Sequence, residues 1–166
     1  MPAPAPAPPL LDTETIEFIQ HRVSIYVAGR SADNVPTSAR GWGCKVSGDG
    51  RAITIFVPRA QATALLRDVE ENQRVAAVFS RPTSHRTVQF KGRDARVAPL
   101  APDDAQTIAA YVGSFLVEVQ KIGHSAPFVH AMFAARPDEM AAIVFTPTDG
   151  FAQTPGPGAG APLRAR

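Results

Sequence analysis

Residues 38–57 read Ser38-Ala39-Arg40-Gly41-Trp42-Gly43-Cys44-Lys45-Val46-Ser47-Gly48-Asp49-Gly50-Arg51-Ala52-Ile53-Thr54-Ile55-Phe56-Val57. An extended segment runs to about Val46, Gly48-Asp49-Gly50 turns the chain, and a β-rich run follows from Ala52. Glycines around an aspartate supply the backbone angles of a tight turn. Isoleucine, threonine, phenylalanine and valine pack well on a pleated surface. The two segments are therefore expected to pair as a hairpin.

Working outward, Val23, Ile25 and Val27 alternate with Ser24 and Tyr26, the period of a half-buried strand, after a short helix over Asp12–Gln20 with Ile16 and Ile19 on one side. Asp33-Asn34-Val35-Pro36 is turn chemistry. Beyond the hairpin the period changes. Ala62, Leu65, Leu66 and Val69 make one apolar helical stripe, Val75–Phe79 is a short buried strand, and a longer strand is expected from about Thr87 to Val97. Asp103 or Asp104 can cap a helix striped by Ile108, Val112, Phe115, Leu116 and Val119. Ser125 and Pro127 open another helix that should stop before Pro137, and Ala142–Phe145 is a last strand. The order calls for a mainly β, α+β fold: a six-stranded antiparallel barrel with helical insertions, which a Rossmann sheet would not accommodate.

The expected domain covers 12–150, with a helical insert at about 102–136. Residues 1–11 read as an extended Pro/Ala tail and 151–166 as a Gly/Pro-rich one. Gln153–Gly156 either lies over the barrel surface or frays, and Gly156–Gly160 has no helix after it that would make it a dinucleotide loop.

With 166 residues, 45% of them hydrophobic, the chain can bury one core. A net charge of +2 with scattered Lys and Arg suits an anionic ligand but is no nucleic-acid footprint. No apolar run is long enough to span a bilayer, and the N-terminus has no signal-peptide pattern, so the expected location is cytoplasmic. Cys44 stands alone, which excludes an internal disulfide and a thiolate metal cage. His124 and His130 are six residues apart and share no helix face, and no acidic partner has ligand spacing, so no metal site is expected. There is no Gly-x-Ser-x-Gly elbow and no base beside Cys44.

Three segments, in order, resemble the flavin-binding split barrel of the pyridoxamine 5′-phosphate oxidase-like superfamily: Pro36–Lys45 with its following turn, Glu71–Phe79, and Arg86–Gly92. The resemblance implies a homodimer with flavin mononucleotide (FMN) in a groove shared by two subunits, and an oxidoreductase chemistry that belongs to the flavin. It implies that Arg40 and Lys45 contact the flavin or its phosphate, and that Arg86 and Thr87 lie beside the ring. Trp42, between two glycines, can line the pocket or a dimer seam. The family's helix-start Ser-Arg-Lys is Thr63-Ala64-Leu65 here, with Arg59 just upstream, and its Tyr-Thr pair is Phe56-Val57. Oxidation of pyridoxamine phosphate itself is therefore not expected. The alternative is a non-catalytic or stress-response module holding haem through His85 or His124, a deazaflavin, or no cofactor.

Overall fold

The computed structural model of the chain describes residues 11–163, so most of the Pro/Ala tail and the last three residues lie outside it. Helix α1 (Thr13–Gln20) starts at Asp12, whose carboxylate accepts from the Thr15 amide at 2.8 Å. Then come β1 (Ser24–Arg30), β2 (Pro36–Gly41), β3 (Cys44–Val46), β4 (Ile53–Pro58), α2 (Arg59–Asn72), β5 (Val75–Ser80), β6 (Thr87–Gly92) and β7 (Arg96–Ala98). The helices α3 (Asp104–Gln120) and α4 (Ala126–Met132) precede β8 (Met140–Phe145) and β9 (Pro147–Ala152).

Two antiparallel sheets result, a five-stranded one in the order β2-β1-β5-β6-β9 and a four-stranded one in the order β3-β4-β8-β7. Ile25, Val27, Ala77, Phe79, Val88 and Phe90 from the first sheet meet Ile53, Ile55, Ile143 and Phe145 from the second, forming one core. The sheets approach closely at Gly92, where an added Cβ would stand 2.5 Å from Phe145 Cδ2. A helix of the described residues long and apolar enough to cross a membrane is not found.

The mixed α+β character and the antiparallel pairing match the sequence reading; the strand count does not, with nine strands among the described residues where about six were expected. The segment expected from Ser38 to Val46 is two strands in different sheets. The break falls at Trp42-Gly43, where Gly43 has φ +111°, a conformation side chains rarely tolerate. Around it the Trp42 amide donates to the Phe56 carbonyl at 2.7 Å and the Phe56 amide to the Gly43 carbonyl at 3.1 Å, so the ladder hands over without orphaned groups. Likewise the long Thr87–Val97 segment divides into β6 and β7, again one strand in each sheet. Strand β9 escapes the sequence reading because Pro147, Asp149 and Gly150 are poor strand formers. It exists because β6 offers it an edge and Gly150 lies against Phe90, where a Cβ would sit 2.9 Å from Cε1.

Candidate functional site

Strand alternation gives the five-stranded sheet an outward face opposite the core. Across it run cross-strand rows: Arg40 with Tyr26, Val78, Gln89 and Phe151, and beside that row Ser24 with Ser80 and Thr87. The Arg40 guanidinium donates to Ser24 Oγ at 3.1 Å and to the Tyr26 hydroxyl at 2.9 Å, and lies 4.8 Å from the Tyr26 ring centroid. Both acceptors are neutral, and no carboxylate among the described residues forms an ion pair with it. Ser80 Oγ and Thr87 Oγ1 are 2.7 Å apart. The Thr87 amide donates to Thr154 Oγ1 at 3.0 Å, while its carbonyl accepts from the Gln153 amide at 2.8 Å. Arg40 and Thr87, four strands apart in sequence order, thus end one polar track on one face. Tyr26, at 46% exposure, is a large aromatic left open to solvent on that face.

The other sequence-derived residues lie elsewhere. Lys45 forms an ion pair with Asp104, which is buried at the start of α3 and also accepts from the Ala101 amide at 2.7 Å. Lys45 also stands 5.9 Å from the Phe56 ring centroid. Trp42 is buried in a small cluster with Phe56, Met140 and Ala142, edge-on to Phe133 at 5.2 Å, and its Nε1 has no hydrogen-bond partner among the described residues. Arg59 Nε donates to the Met140 carbonyl at 3.1 Å. Thr63 turns its hydroxyl back onto the Arg59 carbonyl one helical turn earlier, also at 3.1 Å. Lys45 and Trp42 therefore lie on the four-stranded sheet against the start of α3 and the end of α4, and Arg59 sits against the start of β8, all apart from Arg40.

Arg86 pairs with Glu14 at 2.9 Å and covers the Phe18 ring at 4.3 Å, with Arg81 over the same ring at 5.0 Å. These groups line a polar cavity of about 480 Å3 that also includes Glu17, Arg22 and Ser114. Behind it, buried Glu118 accepts from Thr83 Oγ1 and from Lys121 Nζ, the latter at 3.1 Å. Burial alone would raise the Glu118 pKa, but the Thr83 and Lys121 hydrogen bonds and the Lys121 and Arg81 charges outweigh it and hold the carboxyl below its usual range. Asp68 is held low chiefly by the Thr37 hydroxyl at 2.7 Å, with Arg67 adding to it against the effect of burial. A carboxyl with a lowered folded-state pKa contributes stability that is complete at neutral pH and disappears as pH falls through that pKa. Urea midpoints should therefore drop below about pH 4, and Glu118→Gln should flatten part of that acid limb. An unchanged acid limb in Glu118→Gln would show that the carboxylate carries none of it.

His124 stacks on Phe128 at 5.2 Å at the surface, and His85 occupies a left-handed turn position with φ 58°. No group of three or more His, Cys, Asp or Glu among the described residues could hold a metal ion. Cys44 is buried, donates to the Ile19 carbonyl at 3.1 Å, and has its thiol pKa pushed well up by burial.

A flavin mononucleotide has a flat ring with polar edges and a phosphate. On the outward face, Tyr26 and Val78 supply apolar surface, Ser80, Thr87 and Gln89 supply hydroxyl and amide groups, and Arg40 supplies a cation without a carboxylate partner. These residues fit the group; Lys45, already neutralised by Asp104, does not. Sequence reading missed Tyr26, Ser80 and Gln89, although their alternation with Ile25, Phe79 and Val88 is the signal that turns them outward.

Neither a family model nor a curated protein matches the sequence. Solved structures do. HupZ of Group A Streptococcus is similar over 90% of this chain and 99% of its own, with a TM-score of 0.54 at 15% identity. A putative pyridoxamine 5′-phosphate oxidase from Lactobacillus delbrueckii is similar over 86% and 93%, with a TM-score of 0.53 at 15% identity. A conserved hypothetical protein from Mycobacterium tuberculosis covers 84% and 82%, with a TM-score of 0.51 at 15% identity. At these identities the likeness is one of fold.

Proposed function

We propose that this chain, a divergent protein with the pyridoxamine 5′-phosphate oxidase-like fold, binds flavin mononucleotide on the outward face of its five-stranded sheet and works as a homodimeric oxidoreductase. The observation that carries the reading is Arg40, a half-buried cation bonded only to neutral hydroxyls on an open sheet face. Such a guanidinium retains the charge and spare N–H groups that a phosphate recognises. Ser80 and Thr87 would orient a polar ring edge, and Tyr26 and Val78 would shield the ring from water. A bound flavin supplies hydride transfer; the protein supplies binding, orientation and exclusion of solvent. The Tyr26 ring left open on this face supports a second subunit covering it, since an exposed aromatic rimmed by polar groups suits an interaction surface.

Titration of FMN and of riboflavin into wild type and Arg40→Ala tests the reading. Losing one or two charge-assisted bonds, each about 1.5–3 kcal/mol, should weaken FMN roughly 10–100-fold or more and leave riboflavin nearly unchanged. Lys45→Ala should change FMN affinity only a few-fold, because Asp104 already neutralises that ammonium. Absence of saturable FMN binding to wild type would sink the flavin reading. The Lys45–Asp104 pair favours a second reading, a binding module that holds haem, a deazaflavin or no cofactor. A tightly held flavin that never turns over with a nicotinamide donor and an acceptor would favour that module.

A further inference from the structure

We propose a second anion site at the far end of the same sheet face, built to take a phosphate-bearing small molecule. A cavity of about 400 Å3 opens there between the ends of β1, β5 and β6. Its walls carry Arg30, Arg74, Lys91 and Arg93 against a single acid, Asp149. That volume lies within the range of small-ligand pockets.

The charges are the decisive feature. Among the described residues none of the four basic side chains is in an ion pair. Arg30 donates to the neutral Asn34 Oδ1 at 2.7 Å, and Lys91 stands 5.2 Å from the Phe151 ring centroid. Asp149 accepts from Thr148 Oγ1 at 2.9 Å and pairs with Lys91 only as a cross-strand neighbour. Converging cations repel one another, and protein surfaces ordinarily intersperse the two signs. Three arginines and a lysine among the lining residues bring forked donors that match phosphate oxygens, and their charge suits a multiply charged anion.

The floor is equally specific. Ala28 and Ala76 are register partners, and Ala76 is in turn the partner of Lys91. Small side chains there leave the depression open, where the neighbouring row presents Tyr26, Val78 and Gln89. Arg40 belongs to that neighbouring row, so the cavity and the proposed flavin contacts are separate and the inference does not rest on the flavin reading.

The test uses the full chain, titrated calorimetrically with inorganic pyrophosphate and with adenosine 5′-diphosphate. Both probes are expected to bind saturably, one per chain, and more weakly as salt is raised. Arg74→Ala and Arg93→Ala, both at exposed positions, should each weaken binding at least tenfold while FMN affinity stays within about twofold. Equal affinity for the two probes would support recognition of the phosphates alone, and tighter diphosphate binding would add a contribution from the alanine floor. No saturable binding of either probe, or unchanged affinity in both variants, would overturn the proposal. A fall in FMN affinity in Arg93→Ala would also overturn it, by assigning the cavity to the flavin's own phosphate.

Discussion

Tyr111→Ala should lower the unfolding free energy by about 3–5 kcal/mol, the range for truncating a large buried aromatic. Tyr111 is 1% exposed, stacks on Phe115 at 5.9 Å and meets Phe133 edge-on at 5.9 Å. Its hydroxyl donates to the Val23 carbonyl at 2.7 Å, 88 residues away in sequence. Burial raises the phenol pKa well above its usual value, so the group remains a donor across the accessible range. The ring also covers the strand break, with Cβ 3.0 Å from where a Gly43 Cβ would stand. Tyr111 therefore fastens α3 to both α1's exit and the point where β2 hands over to β3. Tyr111→Phe keeps the packing and strands one carbonyl, for a smaller loss of about 1–3 kcal/mol. Urea unfolding of the two variants separates packing from the hydrogen bond. A loss below 1 kcal/mol in Tyr111→Ala would mean that α3 is not held to the sheets in this way.

Gly41→Val should be strongly destabilising, at the upper end of the about 1–3 kcal/mol typical of overpacking, or beyond it. A Cβ at Gly41 would lie 2.6 Å from Ile25 Cγ2, 2.9 Å from Ile25 Cβ and 2.9 Å from Ile55 Cγ2. Both isoleucines are fully buried, and their β-branched side chains are stiff at χ1. Relief would have to come from parting β2 from its own sheet neighbour β1 at the Ile25–Gly41 pair, and from β4 of the other sheet at Ile55. Gly48→Ala is the matching control: a Cβ there meets nothing within 4 Å, so the change should stay within about 0.5 kcal/mol. Equal thermal midpoints for the two variants would refute the close approach at Gly41. The position also neighbours Arg40, which ties the sheet crossing to the proposed cofactor face.

Much of the fold was legible along the chain. The alternation at 23–27, the Gly48–Gly50 turn and the stripe of Ala62, Leu65, Leu66 and Val69 each correspond to an element seen in the structure. Those signals are local, because burial on one face imposes a fixed period. Where reading failed, the cause was non-local. Asp103 or Asp104 was expected to cap α3; Asp103 does hold the cap position but makes no side-chain bond there, and the Asp104 carboxylate is taken by Lys45, 59 residues earlier. Of the candidate residues, Arg40 and Thr87 share a face while Lys45 and Trp42 lie under α3, a division that residue spacing cannot express.

By itself the sequence determined where the helices and most of the strand-forming segments lie, the single-cysteine chemistry, and a mild excess of positive charge. These follow from periodicity and composition, which every residue carries with it wherever the chain goes. Only the tertiary structure decided that two expected strands would each split between sheets, that β9 would form on an open edge, and that four cations from distant segments would converge on one cavity. Strand pairing and charge convergence depend on which groups a folded chain brings within a few ångströms, and the Coulomb and packing energies that then act have no record in linear order.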